Sequence, residues 1–157
     1  MRGVLVCLVS AAALIALGKT ARADPAYEAR TAMGACLAAV IDKAPVGDAK
    51  GQDVSIHREA SPNLCVVTVT GGDPREVREA VVRAVHARAE RFAPARTTWA
   101  PGALASREAF CNAPGRRALN VVVETAKPGA SPVLTATVVE GRARDQRCDL
   151  DMGAQAP

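Results

Sequence analysis

Acid–base or nucleophilic chemistry in this 157-residue chain would have to run through its two histidines, His57 and His86, or its five cysteines. A hydrolytic triad needs a histidine hydrogen-bonded both to a hydroxyl or thiol and to an orienting acid. No Gly-x-Ser-x-Gly elbow occurs, and His86 stands among Arg83, Arg88 and Arg91, the pattern of a wet helix surface. His57, beside Arg58 and Glu59, reads as an exposed strand residue in the same way. After Cys7 come Cys36, Cys65, Cys111 and Cys148, with a nearest spacing of 29 residues. Redox pairs cluster as Cys-x-x-Cys at a helix start, and zinc sites need paired short spacings. Neither is present, so the sequence implies no catalytic residue, no metal ligand and no cofactor site.

The weaker candidates also have plain structural explanations. Asp149-Leu150-Asp151-Met152-Gly153 resembles the opening of a calcium loop without its later oxygen ligands, and reads as a solvated tail. Gly71-Gly72 before a helix could bind an anion on free amides, but Asp73 would repel the anion and serves instead as a cap. Arg116, Arg117, Arg142, Arg144 and Arg147 could gather into a patch for anions or headgroups, although Asp145, Asp149 and Asp151 interleave with the later ones. Trp99, in a proline-flanked linker, is either a core plug or a binding anchor. Trp99 with Arg116, Arg117, Arg142 and Arg144 is therefore the binding surface the sequence suggests.

The compartment is set by the N-terminus. Arg2, an apolar run from Gly3 to Leu17 and the small-x-small site Ala21-Arg22-Ala23 form the pattern of a cleaved signal peptide over residues 1–23. The run is shorter than the about 20 residues of a spanning helix. A lipid anchor fits poorly, because Cys7 lies inside the apolar core and Asp24, Glu28 and Arg30 interrupt the segment before Cys36. Of the 20 basic residues, Arg2, Lys19 and Arg22 fall in the leader, leaving 17 against 16 acidic, a net charge of +1. That balance argues against a nucleic-acid partner, which calls for a one-sided basic surface. Four cysteines remaining in an oxidising compartment imply two disulfides.

The elements that position these residues follow from periodicity. Asp24 and Pro25 open a helix with a buried stripe of Tyr27, Met33, Cys36, Leu37, Val40 and Ile41, ending near Lys43. Residues 44–52 read as a loop and 53–58 as a strand, followed by a turn at 60–63. Residues 64–70 form a strand with Cys65, Val67 and Val69 on one face. Asp73-Pro74-Arg75-Glu76 starts a second helix, apolar at Val77, Ala80, Val81, Ala84 and Val85 and expected to run to Phe92. After a linker, strands at 107–111, 119–124 and 134–138 should form an antiparallel meander.

The expected fold is thus α+β: a two-layer sandwich of an antiparallel sheet of four or five strands with two helices on one face, held by two disulfides. The domain spans 24–148, with a flexible tail at 149–157. Cys36 faces the core from the first helix and Cys65 from the first secure strand, which predicts Cys36–Cys65 and Cys111–Cys148. In a core of Ala and Val with four aromatics, each bridge would contribute about 3–4 kcal/mol. Function is expected to be that of a non-catalytic binding module of the bacterial envelope, periplasmic or secreted, whose partner is another envelope protein or surface. The competing class is a small periplasmic enzyme or an inhibitor of an envelope enzyme.

Overall fold

The computed structural model describes residues 23–88, 92, 96–98, 102, 104–111 and 119–140. Outside these residues fall all but the last residue of the expected leader at 1–23, together with Trp99, Arg116, Arg117, Arg142, Arg144, Cys148 and the 149–157 tail. The chain runs through α1 (Pro25–Ile41), β1 (Ala49–Lys50), β2 (Val54–Glu59), β3 (Asn63–Val69), α2 (Pro74–His86), β4 (Arg96–Thr98), β5 (Leu104–Cys111), β6 (Leu119–Ala126) and β7 (Leu134–Glu140).

Both helices start where side chains replace missing backbone partners. The Asp24 carboxylate accepts from the Ala26 amide, and that of Asp73 accepts from Arg75 and Glu76 at 3.0 and 3.1 Å. A proline follows each cap, where its missing N–H costs nothing. The second helix stops at His86 rather than at Phe92. The Arg88 amide takes the Val85 carbonyl three residues back, which tightens and closes the last turn.

The strands make one antiparallel sheet in the order β1-β2-β3-β7-β6-β5-β4. The expected meander is present as β5-β6-β7, and β7 then pairs along the whole of β3, joining the two halves of the chain. The expected count of four or five strands falls short of the seven observed among the described residues, six of which have three or more residues. The missed strands are β1, inside what reads as a loop, and β4, inside what reads as a linker. Segments of two and three residues carry no usable alternation, and they are strands because a long neighbour offers them an open edge.

Both helices lie on one face of the sheet, α1 over β3, β2 and β7, and α2 over β6 and β7. Met33, Leu37 and Val40 of α1 and Val77, Val81 and Val85 of α2 pack on Val67, Val69, Val121, Val123, Leu134, Val138 and Phe110. Tyr27 does not belong to this stripe and is 69% exposed. It lies six residues before Met33, about one and two-thirds turns, so it points well off the buried face. Ala29, four residues before Met33, takes the inward position and is fully buried.

Cys36 and Cys65, both fully buried, are joined in a disulfide with a Cα–Cα distance of 5.4 Å, so the expected helix-to-sheet bridge is present. It is the one bridge with both ends among the described residues. Cys111 at the end of β5 is also disulfide-bonded, with its partner outside them. Among the described residues no helix is long and apolar enough to cross a membrane.

Candidate functional site

A cleft lies between the outer flank of α1 and the β1–β2 edge of the sheet. On the helix, Tyr27, Thr31 and Ala35 stand one turn apart in a row, with Glu28 and Ala32 beside them. Ala49, Gly51, Val54 and Ile56 face them from β1, the following turn and β2. The cleft encloses about 270 Å³.

Its origin is local. Ala32, Ala35, Ala49 and Gly51 are too small to fill the space between helix and sheet edge, whereas a chain with Leu or Met there would close it. The Gly51 amide bonds the Val54 carbonyl at 2.8 Å, and a Cβ on Gly51 would sit 3.0 Å from that same oxygen. The tight turn therefore leaves little room for a side chain at 51, and it holds Ala49 and Gly51 against β2 as the cleft's outer wall. Only Tyr27, Glu28 and Thr31 bring polar atoms. The Thr31 hydroxyl donates to its own helix, to the Tyr27 carbonyl at 3.0 Å. The lining is otherwise apolar, and a volume at the small end of ligand pockets suits one or two side chains better than a large cofactor.

A charged cluster lies behind the β1 wall, on the sheet face opposite the cleft. Continuing the β1–β2 register by one residue sets Asp48 opposite His57. An oxygen of Asp48 accepts from the Arg58 amide at 2.7 Å and lies 3.4 Å from His57 Nδ1. His57 Nε2 lies 3.1 Å from Glu59 on the same strand. The Asp48 carboxylate takes the place that the next cross-strand carbonyl would occupy, so this sheet edge is closed by a side chain. The hydrogen bond with Glu59, and then the charge of Asp48, raise the His57 pKa above its ordinary 6.5. The Arg58 amide, opposed by desolvation and assisted by the His57 charge, lowers that of Asp48 from 3.8.

At the far end of α1, Asn63 donates to the Val40 carbonyl at 3.1 Å and to Glu140 at 2.6 Å. Lys43 bonds the same Val40 carbonyl at 3.2 Å and pairs with Glu140, while Arg58 donates to the Leu64 carbonyl at 2.7 Å and to Asn63. This network satisfies the helix C-terminus and ties it to β3 and β7, a structural role. Under α2, Arg78 pairs with the buried Glu108 at 2.6 Å, while Arg78 Nε, the second Glu108 oxygen and the Thr125 hydroxyl are buried without partners. His86 is exposed and packs edge-on against Phe110 with ring centroids 5.9 Å apart. Among the described residues no group of three or more His, Cys, Asp or Glu could hold a metal ion.

Of the residues singled out from sequence, Cys36 and Cys65 meet, and Cys111 is committed to a disulfide as well. Cys148 and every member of the suggested binding surface, Trp99, Arg116, Arg117, Arg142 and Arg144, lie outside the described residues. Sequence reasoning missed the cleft. Its signals were Tyr27, which is out of phase with the helical stripe, and the alanines at 32 and 35, which read as helix formers rather than as missing volume. No family model, curated protein or solved structure matches the chain.

Proposed function

We propose that this protein is an exported, non-catalytic binding module of the bacterial envelope, and that the α1–β1 cleft receives one or two apolar side chains from a segment of a partner protein with basic residues next to them. The observation that carries this reading is the cleft itself, lined by small and apolar groups below the exposed Tyr27. Buried apolar anchors supply most of the affinity of such contacts. Glu28 in the lining provides the acidic complement to a basic flank. Export is supported by the Arg2–Ala23 pattern and by the Cys36–Cys65 bridge, since disulfides persist in oxidising compartments. On the same reading Cys111 is joined to Cys148, the cysteine left over after residue 23, and a non-reducing peptide map tests that pairing. An enzyme or enzyme inhibitor has less support: both ring nitrogens of His57 face carboxylates rather than a nucleophile.

The test of the cleft is amide NMR of the oxidised protein titrated with acetyl-Leu-Phe-Lys-Lys-amide. Shifts should cluster on residues 27–35 and 49–56 with a Kd of about 1 mM, the scale of a single buried anchor. Acetyl-Leu-Phe-Glu-Glu-amide should bind several-fold more weakly. Ala35→Phe, which fills the cleft, should abolish the shifts while the rest of the amide spectrum is retained. Scattered shifts, or equal binding to Ala35→Phe, would refute the assignment.

A further inference from the structure

We infer that His57 is a pH-operated latch on the β1 wall of the cleft, holding that wall when the ring carries two protons and loosening it when it carries one. This rests on the cleft being the binding site. A neutral imidazole has one N–H and one lone pair, and an imidazolium has two N–H groups. In this structure a carboxylate faces each ring nitrogen: Asp48 at Nδ1 and Glu59 at Nε2. Only the protonated ring can donate to both. On losing a proton it keeps one bond and turns a lone pair toward the other carboxylate. The Glu59 contact is the shorter, at 3.1 against 3.4 Å, and lies within β2 itself, so the bond to Asp48 is the one given up.

The position of Asp48 gives that loss a consequence. β1 is two residues long, joined to β2 by the pairs Ala49–Ile56 and Lys50–Ser55, and closed at one end by the Gly51–Val54 turn. Its other end is fastened by the Asp48 carboxylate, through the Arg58 amide and the His57 ring. Ala49 and Gly51 of this short segment line the cleft. The groups that face His57 are Asp48 and Lys50 on the β1 side, Ser55 and Glu59 on its own strand, and the uncharged Leu64, Val66 and Thr68 of β3. Lys50 lies opposite Ser55, two residues along the strand from Asp48 on the same face, so it opposes the positive ring without reaching its nitrogens. Two carboxylates against one distant ammonium favour the charged ring, in the same direction as the raised pKa.

The experiment follows the His57 ring and the amides of Asp48, Ala49, Gly51 and Arg58 by NMR from pH 5 to 8.5 in the oxidised full chain, and repeats the acetyl-Leu-Phe-Lys-Lys-amide titration at pH 5.5 and 8. The expected result is that those four amides titrate with the His57 midpoint, that peptide affinity falls about two- to fourfold between the two pH values, the scale of an exposed ion pair, and that His57→Gln flattens the pH dependence. Asp48→Asn should lower the His57 midpoint. Amides at 49–51 that ignore the His57 titration would overturn the latch, as would a pH-dependent affinity surviving in His57→Gln. If the peptide binds at neither pH while the amides follow His57, the latch stands and the cleft's assignment as a binding site falls.

Discussion

Replacing both Cys36 and Cys65 by alanine tests how far this fold depends on one covalent bond. The bridge closes a loop with a sequence separation of 29. The chain-entropy relation for a loop of that length gives about 12 cal/mol/K, or about 3.6 kcal/mol at 25 °C. Both sulfurs are fully buried, α1 against β3, so alanine also removes packed atoms at both ends, at about 1 kcal/mol each. The expected loss is about 5–6 kcal/mol, comparable with the whole stability of many domains. Urea and thermal unfolding of the oxidised double variant, with the Cys111 bridge left intact, measure it against the parent. At about 4 °C per kcal/mol for a domain of this size, Tm should fall by about 20 °C, and in urea the variant should be near half-unfolded before denaturant is added. A loss below about 1.5 kcal/mol would refute the reasoning. It would mean that the unfolded chain already holds 36 and 65 near each other, or that α1 packs on the sheet without needing the tether.

Three further substitutions or conditions have defined outcomes. Gly72 has φ +92°, and an added Cβ would lie 2.9 Å from Pro25 Cβ and 3.1 Å from Val77 Cγ2, so Gly72→Ala should cost at least about 2 kcal/mol in urea unfolding. Asp73→Ala leaves the Arg75 and Glu76 amides without their cap and should cost about 1 kcal/mol, whereas Asp73→Asn should cost a few tenths. In the stability–pH curve, His57 has a folded pKa above 6.5, so its contribution is complete below 6.5 and is lost as pH rises through the folded value. Asp48 has a folded pKa below 3.8, so its contribution is complete above 3.8 and is lost as pH falls through the folded value. The urea midpoint should show both shoulders. His57→Gln should remove the alkaline one, and its persistence in that variant would assign it elsewhere.

What could be read from the sequence was whatever a period or a cap records. The strand face Cys65–Val67–Val69, the alternations 119–123 and 134–138, and the Asp-Pro starts of both helices all reappear, because each is a local pattern that tertiary contacts reinforce. The pairing of Cys36 with Cys65 also followed, since a mid-stripe helix residue and an inward strand residue have few other places to meet. Short edge strands did not. β1 exists because β2 offers unpaired backbone groups and Gly51 permits the turn, and neither fact is visible in Ala49-Lys50. The pairing of β3 with β7 joins segments about 70 residues apart, which no local pattern encodes. The His57 cluster failed for a related reason. Its nearest acid in space, apart from Glu59, is Asp48, nine residues away and brought opposite only by the β1 register.

The alanines of α1 connect the stability of the fold to its open cleft. Ala26, Ala29, Ala32, Ala35, Ala38 and Ala39 favour the helix on propensity, yet each gives up volume that a larger residue would have packed. On the inner face that shortfall is met by approach: Ala29 and Ala39 are buried, and the disulfide at Cys36 draws the helix down on β3. At the flank nothing can approach, because the sheet ends at a two-residue strand, so the space beside Ala32 and Ala35 stays open as the cleft. Cys36 follows Ala35 directly, so the bond that fixes the helix also fixes the height of the cleft wall. A chain with larger residues at 32 and 35 would gain packing and lose this concave apolar surface. The covalent bond lets the small residues persist where a core built from side chains alone would have replaced them.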